Sequence, residues 1–258
     1  MVTHWAPLPA AYRHHCDSPG ELRRHWAALH AGDAEPWPED EALLQGWALF
    51  HAGDFEAAVH AGLALGAAGL TLANAAQTLH AQWLEPVEQR RRRLLHEVAR
   101  RARLQQQAAP DLPGAWYWFA HALGLTGRGL RLTQALACGL GPQVLEALSR
   151  TLALAPHHAS AWLALGVFHA ELVDQLGDKL AAALGARRAA GLEAFERALA
   201  LDPGSPGVRL EYAHGLLRLE GESALAKAEA LLAEAAACPA LDAIGQLQIE
   251  RARQELAD

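Results

Sequence analysis

The sequence predicts an all-α chain of stacked helical hairpins, and three observations carry that prediction. Ala makes up roughly a fifth of the 258 residues, Leu is the other dominant type, and Ile is rare. Ala and Leu favour helices, whereas strands draw on the β-branched residues that are scarce here. No Val/Ile-rich run reads as a strand, which also disfavours an alternating α/β fold. Finally, Pro110, Pro156 and Pro203 close three similar segments and lie 46 and 47 residues apart. A proline just past an apolar-periodic helix stops it and starts the next helix in a fixed direction.

In chain order, residues 1–40 form an N-terminal extension with Pro7, Pro9, Pro36 and Pro38 and one helix from Glu21 to Ala31. Asp17-Ser18-Pro19 is its start signal, with Ser18 as N-cap and Pro19 in the first turn. Residues 41–240 hold the repeats. Gly46, Leu49, Gly53-Asp54-Phe55 and Ala58 mark the first hairpin, with Gly53-Asp54 at its turn. The Ala/Gly-rich stretch at 61–81 contains Asn74 and Gln77 and reads as a tightly packed helix pair, not a membrane span. The pattern leaves the register over 70–111 open. Each of the three prolines is followed by a helix opening with Trp116, Trp162 or, in the last copy, Arg209. Trp162, Leu165, Gly166 and His169 fit a first helix, and Gly191, Phe195, Ala198 and Pro203 a second. The small residues Gly166 and Gly191 let that pair approach, while Phe195 and Leu199 fill the space between hairpins. Tyr212-Ala213, Leu216, Ala228, Leu232 and Ala235 make a degenerate last copy. Residues 241–258 supply a capping helix, with Arg251, Arg253, Gln254 and Glu255 on a wet outer face.

These residues resemble the tetratricopeptide repeat family, a 34-residue hairpin with Trp-x2-Leu-Gly-x2-Tyr early, then Ala-x3-Phe, an Ala and a closing Pro. The resemblance covers about 41–240 and is strongest over 159–204. It implies a right-handed superhelix of about five hairpins. Two copies depart from the pattern in the same place. Trp116 to Pro156 spans 40 positions and Trp162 to Pro203 spans 41, about 12 or 13 more than the family pattern allows. Each therefore carries an insertion between its two helices, within Gly124–Pro142 and within Glu171–Gly191. In the second, Leu172, Leu176, Leu180 and Leu184 step by four and make one helical stripe, read as a lid or an interface. Ala115-Trp116-Tyr117-Trp118-Phe119-Ala120, the paired insertions and Leu192-Glu193-Ala194-Phe195-Glu196-Arg197-Ala198 are also similar to bacterial relatives of the regulator of microtubule dynamics family. That narrower likeness transfers no function.

Chemistry-bearing motifs are few. There is no Gly-x-Ser-x-Gly elbow and no Walker A loop, and Gly124-Leu125-Thr126-Gly127-Arg128-Gly129 lacks the dinucleotide spacing. No catalytic residues and no cofactor are expected. Of 14 histidines, the densest groups are His14-His15-Cys16 and His157-His158. Neither has zinc-ligand spacing, so no metal site is expected and the first group is only the first suspect. His169 takes the place of the usual repeat tyrosine. Cys16, Cys138 and Cys238 are an odd number without CxxC spacing, which suits a reducing compartment. The first residues lack a basic region followed by an apolar core, so no signal peptide is expected and a cytoplasmic location is.

Three surfaces remain. Pro86–Gln107 contains seven Arg and two Glu. Arg92, Arg100 and Arg103 lie off its apolar stripe and either face an anionic partner or are a solvated helix face. Nucleic acid is disfavoured because no aromatic residues are interleaved. The eight tryptophans read mostly as packing, although Trp5 and Trp37 are placed to anchor self-association. By the family pattern, Tyr117, His121, Leu163, Val167, Leu210 and His214 point into the concave groove, with Arg218 one turn on. That surface suits an amphipathic helix or an extended apolar peptide, unless the chain's own insertions or N-terminal segment fill it. The carboxylate clamp of chaperone-binding relatives is excluded, because Asn74 is the only Asn and Lys179 lies in an insertion. The expected function is a non-enzymatic scaffold that binds a protein or peptide. The alternatives are a small-molecule or lipid carrier enclosed by the leucine-rich insertions, and a homo-oligomer joined through them. Replacing Tyr117 and His121 with Ala is expected to weaken partner capture without unfolding the array.

Overall fold

The computed structural model describes residues 5–12 and 19–257, and every regular element among them is helical. Ser18, His14, His15 and Cys16 lie outside the described residues, so the N-cap and the suspected metal group are not placed. Helix α1 (Pro19–Leu29) belongs to the N-terminal extension. Five hairpins follow: α2 (Glu41–Ala52) with α3 (Phe55–Ala64), α4 (Leu70–Trp83) with α5 (Glu88–Ala108), α6 (Pro113–Arg128) with α8 (Leu140–Leu154), α9 (Ala159–Ala183) with α10 (Arg188–Leu201), and α11 (Pro206–Glu220) with α12 (Leu225–Ala237). Helix α13 (Ala243–Ala257) packs on α12 and α11 as the cap.

Local chemistry sets the boundaries. Asp40 accepts from the Leu43 amide at 3.0 Å and caps α2. Gly53 ends it in the left-handed region at φ 84°, where a side chain is strained, and Asp54 caps α3 through the Ala57 amide. The recurring Trp-and-proline signal has a direct cause. The Trp116 indole donates to the Pro110 carbonyl at 2.8 Å and the Trp162 indole to the Pro156 carbonyl at 2.9 Å. Each proline-ended helix is thereby tied to the helix that follows. In the last copy Arg209 donates instead to the Ser205 carbonyl.

The two insertions lie between paired helices. The first contains the short helix α7 (Leu132–Ala137), which buries none of its residues, and a left-handed Gly139 (φ 59°) leads from it into α8. The second prolongs α9, whose backbone breaks at Gly177 (φ 72°, ψ 163°) before the chain turns at Gly185 into α10.

The strongest repeat packs as its residues suggest. Phe195 is fully buried and stacks on Tyr212 with ring centroids 5.2 Å apart. Gly166 and Gly215 flank its ring closely enough that a Cβ on Gly215 would fall inside contact distance. Hairpin α4/α5 is built differently, which explains why its register is hard to read. Asn74 donates to Gln105 at 3.1 Å, and Arg101 donates to Asn74 at 2.6 Å and to Gln77 at 3.0 Å. Asn74 and Gln77 are buried, and Gln105 closes the network on Thr71 at 3.0 Å. A polar seam replaces the usual Ala and aromatic contacts there. Burial lowers the Arg101 pKa to about 10, with Glu97 partly offsetting it, so the guanidinium stays charged at neutral pH.

Two outcomes follow from this packing. Gly215→Ala overpacks a ring that cannot move and should lower stability by about 1–3 kcal/mol in urea titration. Arg101→Met strands buried amide oxygens and should cost about 1–3 kcal/mol, whereas the exposed Arg100→Met should change little.

Candidate functional site: a cavity at the seam of the array

The two ends of the array meet. Helix α13 packs against α2, and the loop after α1 reaches the start of α9. There the Gly32 carbonyl accepts from the Ser160 amide at the start of α9, at 2.8 Å. The extension is integral to the core, because Leu22 is fully buried and Trp26 packs edge-on to Trp37 and Trp47.

A chain of four side chains ties this seam. Asp242 Oδ2 lies 2.9 Å from His51 Nδ1, His51 Nε2 lies 3.2 Å from His30 Nε2, and His30 Nδ1 lies 2.9 Å from Asp33 Oδ1. The residues come from the start of α13, the last turn of α2 and the loop after α1. Both imidazoles are buried among Trp26, Trp47 and Phe50. Asp242 uses its other oxygen to accept from the Gly245 amide at 2.7 Å in the first turn of α13. Asp33 Oδ1 also accepts from the Glu35 amide at 3.2 Å.

Closure of the ends leaves a cavity of about 640 Å³ on the concave side. Its apolar wall includes Leu163 and Val167 of α9, Leu210 of α11 and Val144 of α8. The insertions contribute Leu132 and Leu136 from α7 and Leu172 and Leu184 from the second insertion. At its polar parts stand His30, Asp33, His51 and Asp242 of the seam, and Arg128, which pairs with Glu171 at 2.5 Å and Glu211 at 3.6 Å. Burial works against the charge on Arg128, but the two carboxylates outweigh it and raise its pKa.

The groove residues read from the sequence divide by environment. Tyr117, His121, Leu163, Val167 and Leu210 line the cavity. Tyr117 is only 5% exposed, and its hydroxyl donates to His121 Nδ1 at 3.0 Å. His121 Nε2 in turn donates to Gln82 Oε1 at 3.0 Å. Burial, reinforced by Arg128, depresses the His121 pKa to about 3, so it stays neutral. Tyr117 is therefore a structural wall of the cavity, and truncating it is not the mild probe expected from the sequence. His214 and Arg218 are not among the residues that line the cavity: His214 Nε2 lies 2.6 Å from Glu255 on α13, and Arg218 lies 4.0 Å from Glu171, which does line it. Of the leucine stripe, Leu172 and Leu184 reach the cavity, Leu176 packs on the core, and Leu180 is 62% exposed. The break at Gly177 divides the stripe, which the step of four does not reveal.

The arginines of α5 mostly have partners within the chain. Arg92 bonds Glu88 at 2.7 Å and the Gly129 carbonyl, and Arg103 bonds Gln143 at 2.9 Å and lies over the Phe119 ring. Arg100 is exposed. The chain's single Asn, Asn74, is held in the buried network of α4/α5. Among the described residues no group of three or more His, Cys, Asp or Glu is arranged to hold a metal ion, and no helix is long and apolar enough to cross a membrane.

The seam residues His30, Asp33, His51 and Asp242 carry no sequence signal, since 191 positions separate His51 from Asp242. Tyr117→Ala should lose about 3–5 kcal/mol of stability by denaturant titration. Tyr117→Phe, which removes one bond, should lose about 1–2 kcal/mol.

No family model and no curated protein matches this sequence. Among solved structures, the chain is similar to a thermophilic TPR (tetratricopeptide repeat) protein of Thermus thermophilus. The TM-score is 0.60 at 19% identity, over 84% of this chain and 100% of that one. The likeness concerns the repeat fold and does not extend to the regulator of microtubule dynamics relatives. The chain is an all-α helical-repeat protein with the tetratricopeptide repeat fold.

Proposed function

We propose that the chain is a non-enzymatic scaffold that receives a short apolar segment of a protein partner in its concave cavity. One observation carries this reading: the cavity of about 640 Å³ is walled by inward residues of successive first helices, Leu163 and Val167 on α9 and Leu210 on α11. In stacked hairpins that concave surface is where extended or helical peptides lie. A volume of this size takes a few apolar side chains, so the segment docks by its anchor residues and does not thread through.

A second reading is favoured by the same volume and by the insertions. Small-molecule sites run from about 300 to 1,000 Å³, and leucines from both insertions line this cavity. A small apolar ligand held under α7 is the competing occupant.

Leu163 and Val167 are half-buried and make the decisive probe. Val167→Glu places an unpaired charge in the cavity wall at a half-buried position. Affinity capture by the tagged protein should lose its dominant partner at least tenfold, with the melting temperature within a few degrees of the parent. Unchanged capture by a folded Val167→Glu protein would contradict the concave-face reading. A stoichiometric small ligand in native mass spectrometry, displaced by the same substitution, would establish the second reading instead.

A further inference from the structure

The seam chain imposes a proton count. Each Nδ1 stands 2.9 Å from a carboxylate oxygen and so carries a hydrogen. The 3.2 Å contact between the two Nε2 atoms holds one more hydrogen. Three protons on four ring nitrogens leave one ring neutral and the other an imidazolium. With none in the middle, two lone pairs face each other. With two, N–H faces N–H, and a second buried positive charge is created. Only the one-proton state bonds at all three links.

The surroundings favour that state. Burial opposes the charge on His30, but Asp33, by charge and hydrogen bond, together with Glu35 and Asp242, outweighs it and raises the His30 pKa. Burial lowers the His51 pKa despite the bond to Asp242, and the charge on His30 lowers it further. His30 is therefore the imidazolium and His51 the neutral ring that accepts through Nε2.

We propose that Asp242–His51–His30–Asp33 is an acid-released latch: with one shared proton it holds α13 and the loop after α1 against α2, and a second proton parts them and opens the cavity. All four residues line the cavity, so parting them changes its wall directly.

The signs fix where the latch works. His51, with its folded pKa below the ordinary 6.5, contributes stability at neutral pH that is lost as pH falls below that value. His30, with its folded pKa raised, contributes stability that is present below 6.5 and lost as pH climbs through the raised value. The latch is firmest near neutrality and releases on the acid side. Among the described residues, the other titratable groups coupled to it are Glu35, Asp202, His158 and Tyr117. Burial, then Asp33, pushes Glu35 up to about 7, and burial is also the first cause lifting Asp202 to about 6, so both move toward neutral as acid is added. Burial lowers His158, which Asp33 partly offsets. Burial raises Tyr117, which stays neutral throughout.

Hydrogen exchange of the full chain at pH 7.0 and pH 5.5, corrected for intrinsic rates, tests this. Protection in segments 30–36 and 239–247 should fall at least tenfold at pH 5.5, while α5 keeps its protection. In His51→Gln, which cannot take the second proton, the drop should vanish. Asp242→Asn keeps an oxygen for the Gly245 amide and removes the carboxylate that faces His51 Nδ1; its two segments should already be weakly protected at pH 7.0, with little further change. A parent chain whose seam protection ignores pH would overturn the latch. So would a tenfold drop that persists in His51→Gln or, should that variant not fold, in Asp242→Asn. Release of a bound partner by opening rests on the binding reading above. The exchange experiment needs no ligand, so the latch and that reading fail separately.

Discussion

The meeting of the array's two ends is the constraint on which the rest of this structure depends. A stack of helical hairpins has an open groove on one side, because each hairpin touches only its neighbours. Here Asp242, His51, His30 and Asp33 join the cap, the first hairpin and the extension through three short links. Each link is buried or half-buried, so water competes poorly and an unmet polar atom is costly. Asp242 holds the first turn of α13 with one oxygen and His51 with the other. The concave groove becomes a bounded cavity because of that seam.

The insertions take their meaning from the closure. In an open superhelix, α7 and the prolonged α9 would hang at the edge of a long groove. Against a closed seam they stand at a compact cavity and place leucines along its wall. Gly139, Gly177 and Gly185 all take positive φ, at the entry to α8, inside α9 and at the turn before α10, so the backbone changes direction within each insertion. The polar groups are equally segregated. Arg128 with Glu171 and Glu211 occupies one part, the seam residues another, His121 with Gln82 a third, and leucines and aromatic side chains line much of the remainder. An occupant with an apolar body and a polar feature matches this distribution.

Much of the fold is legible in the sequence because its signals are local. The indole of Trp116 or Trp162 reaches the carbonyl of the proline that ends the preceding helix, so the bond leaves a fixed spacing in the chain. Gly53 and Asp54 act within one turn, and the insertions show as a lengthened repeat. The α4/α5 hairpin is less legible because Asn74, Gln77, Arg101 and Gln105 stabilise it by hydrogen bonds that helical periodicity does not mark. The cavity is half legible. Leu163, Val167 and Leu210 follow from the repeat pattern, whereas the burial of Tyr117 and the pairing of His214 with Glu255 and of Arg218 with Glu171 depend on superhelical curvature and on where α13 packs. The seam is not legible, since a histidine at position 51 bears no trace of an aspartate at 242.

Pulsed electron resonance between spin labels at the exposed positions Glu41 on α2 and Gln254 on α13 tests closure most directly, in a chain whose three cysteines are replaced by serine. A joined seam predicts one narrow distance distribution at pH 7. A broad distribution reaching to long distances, with the helical content intact, would show an open array and contradict the account of the cavity.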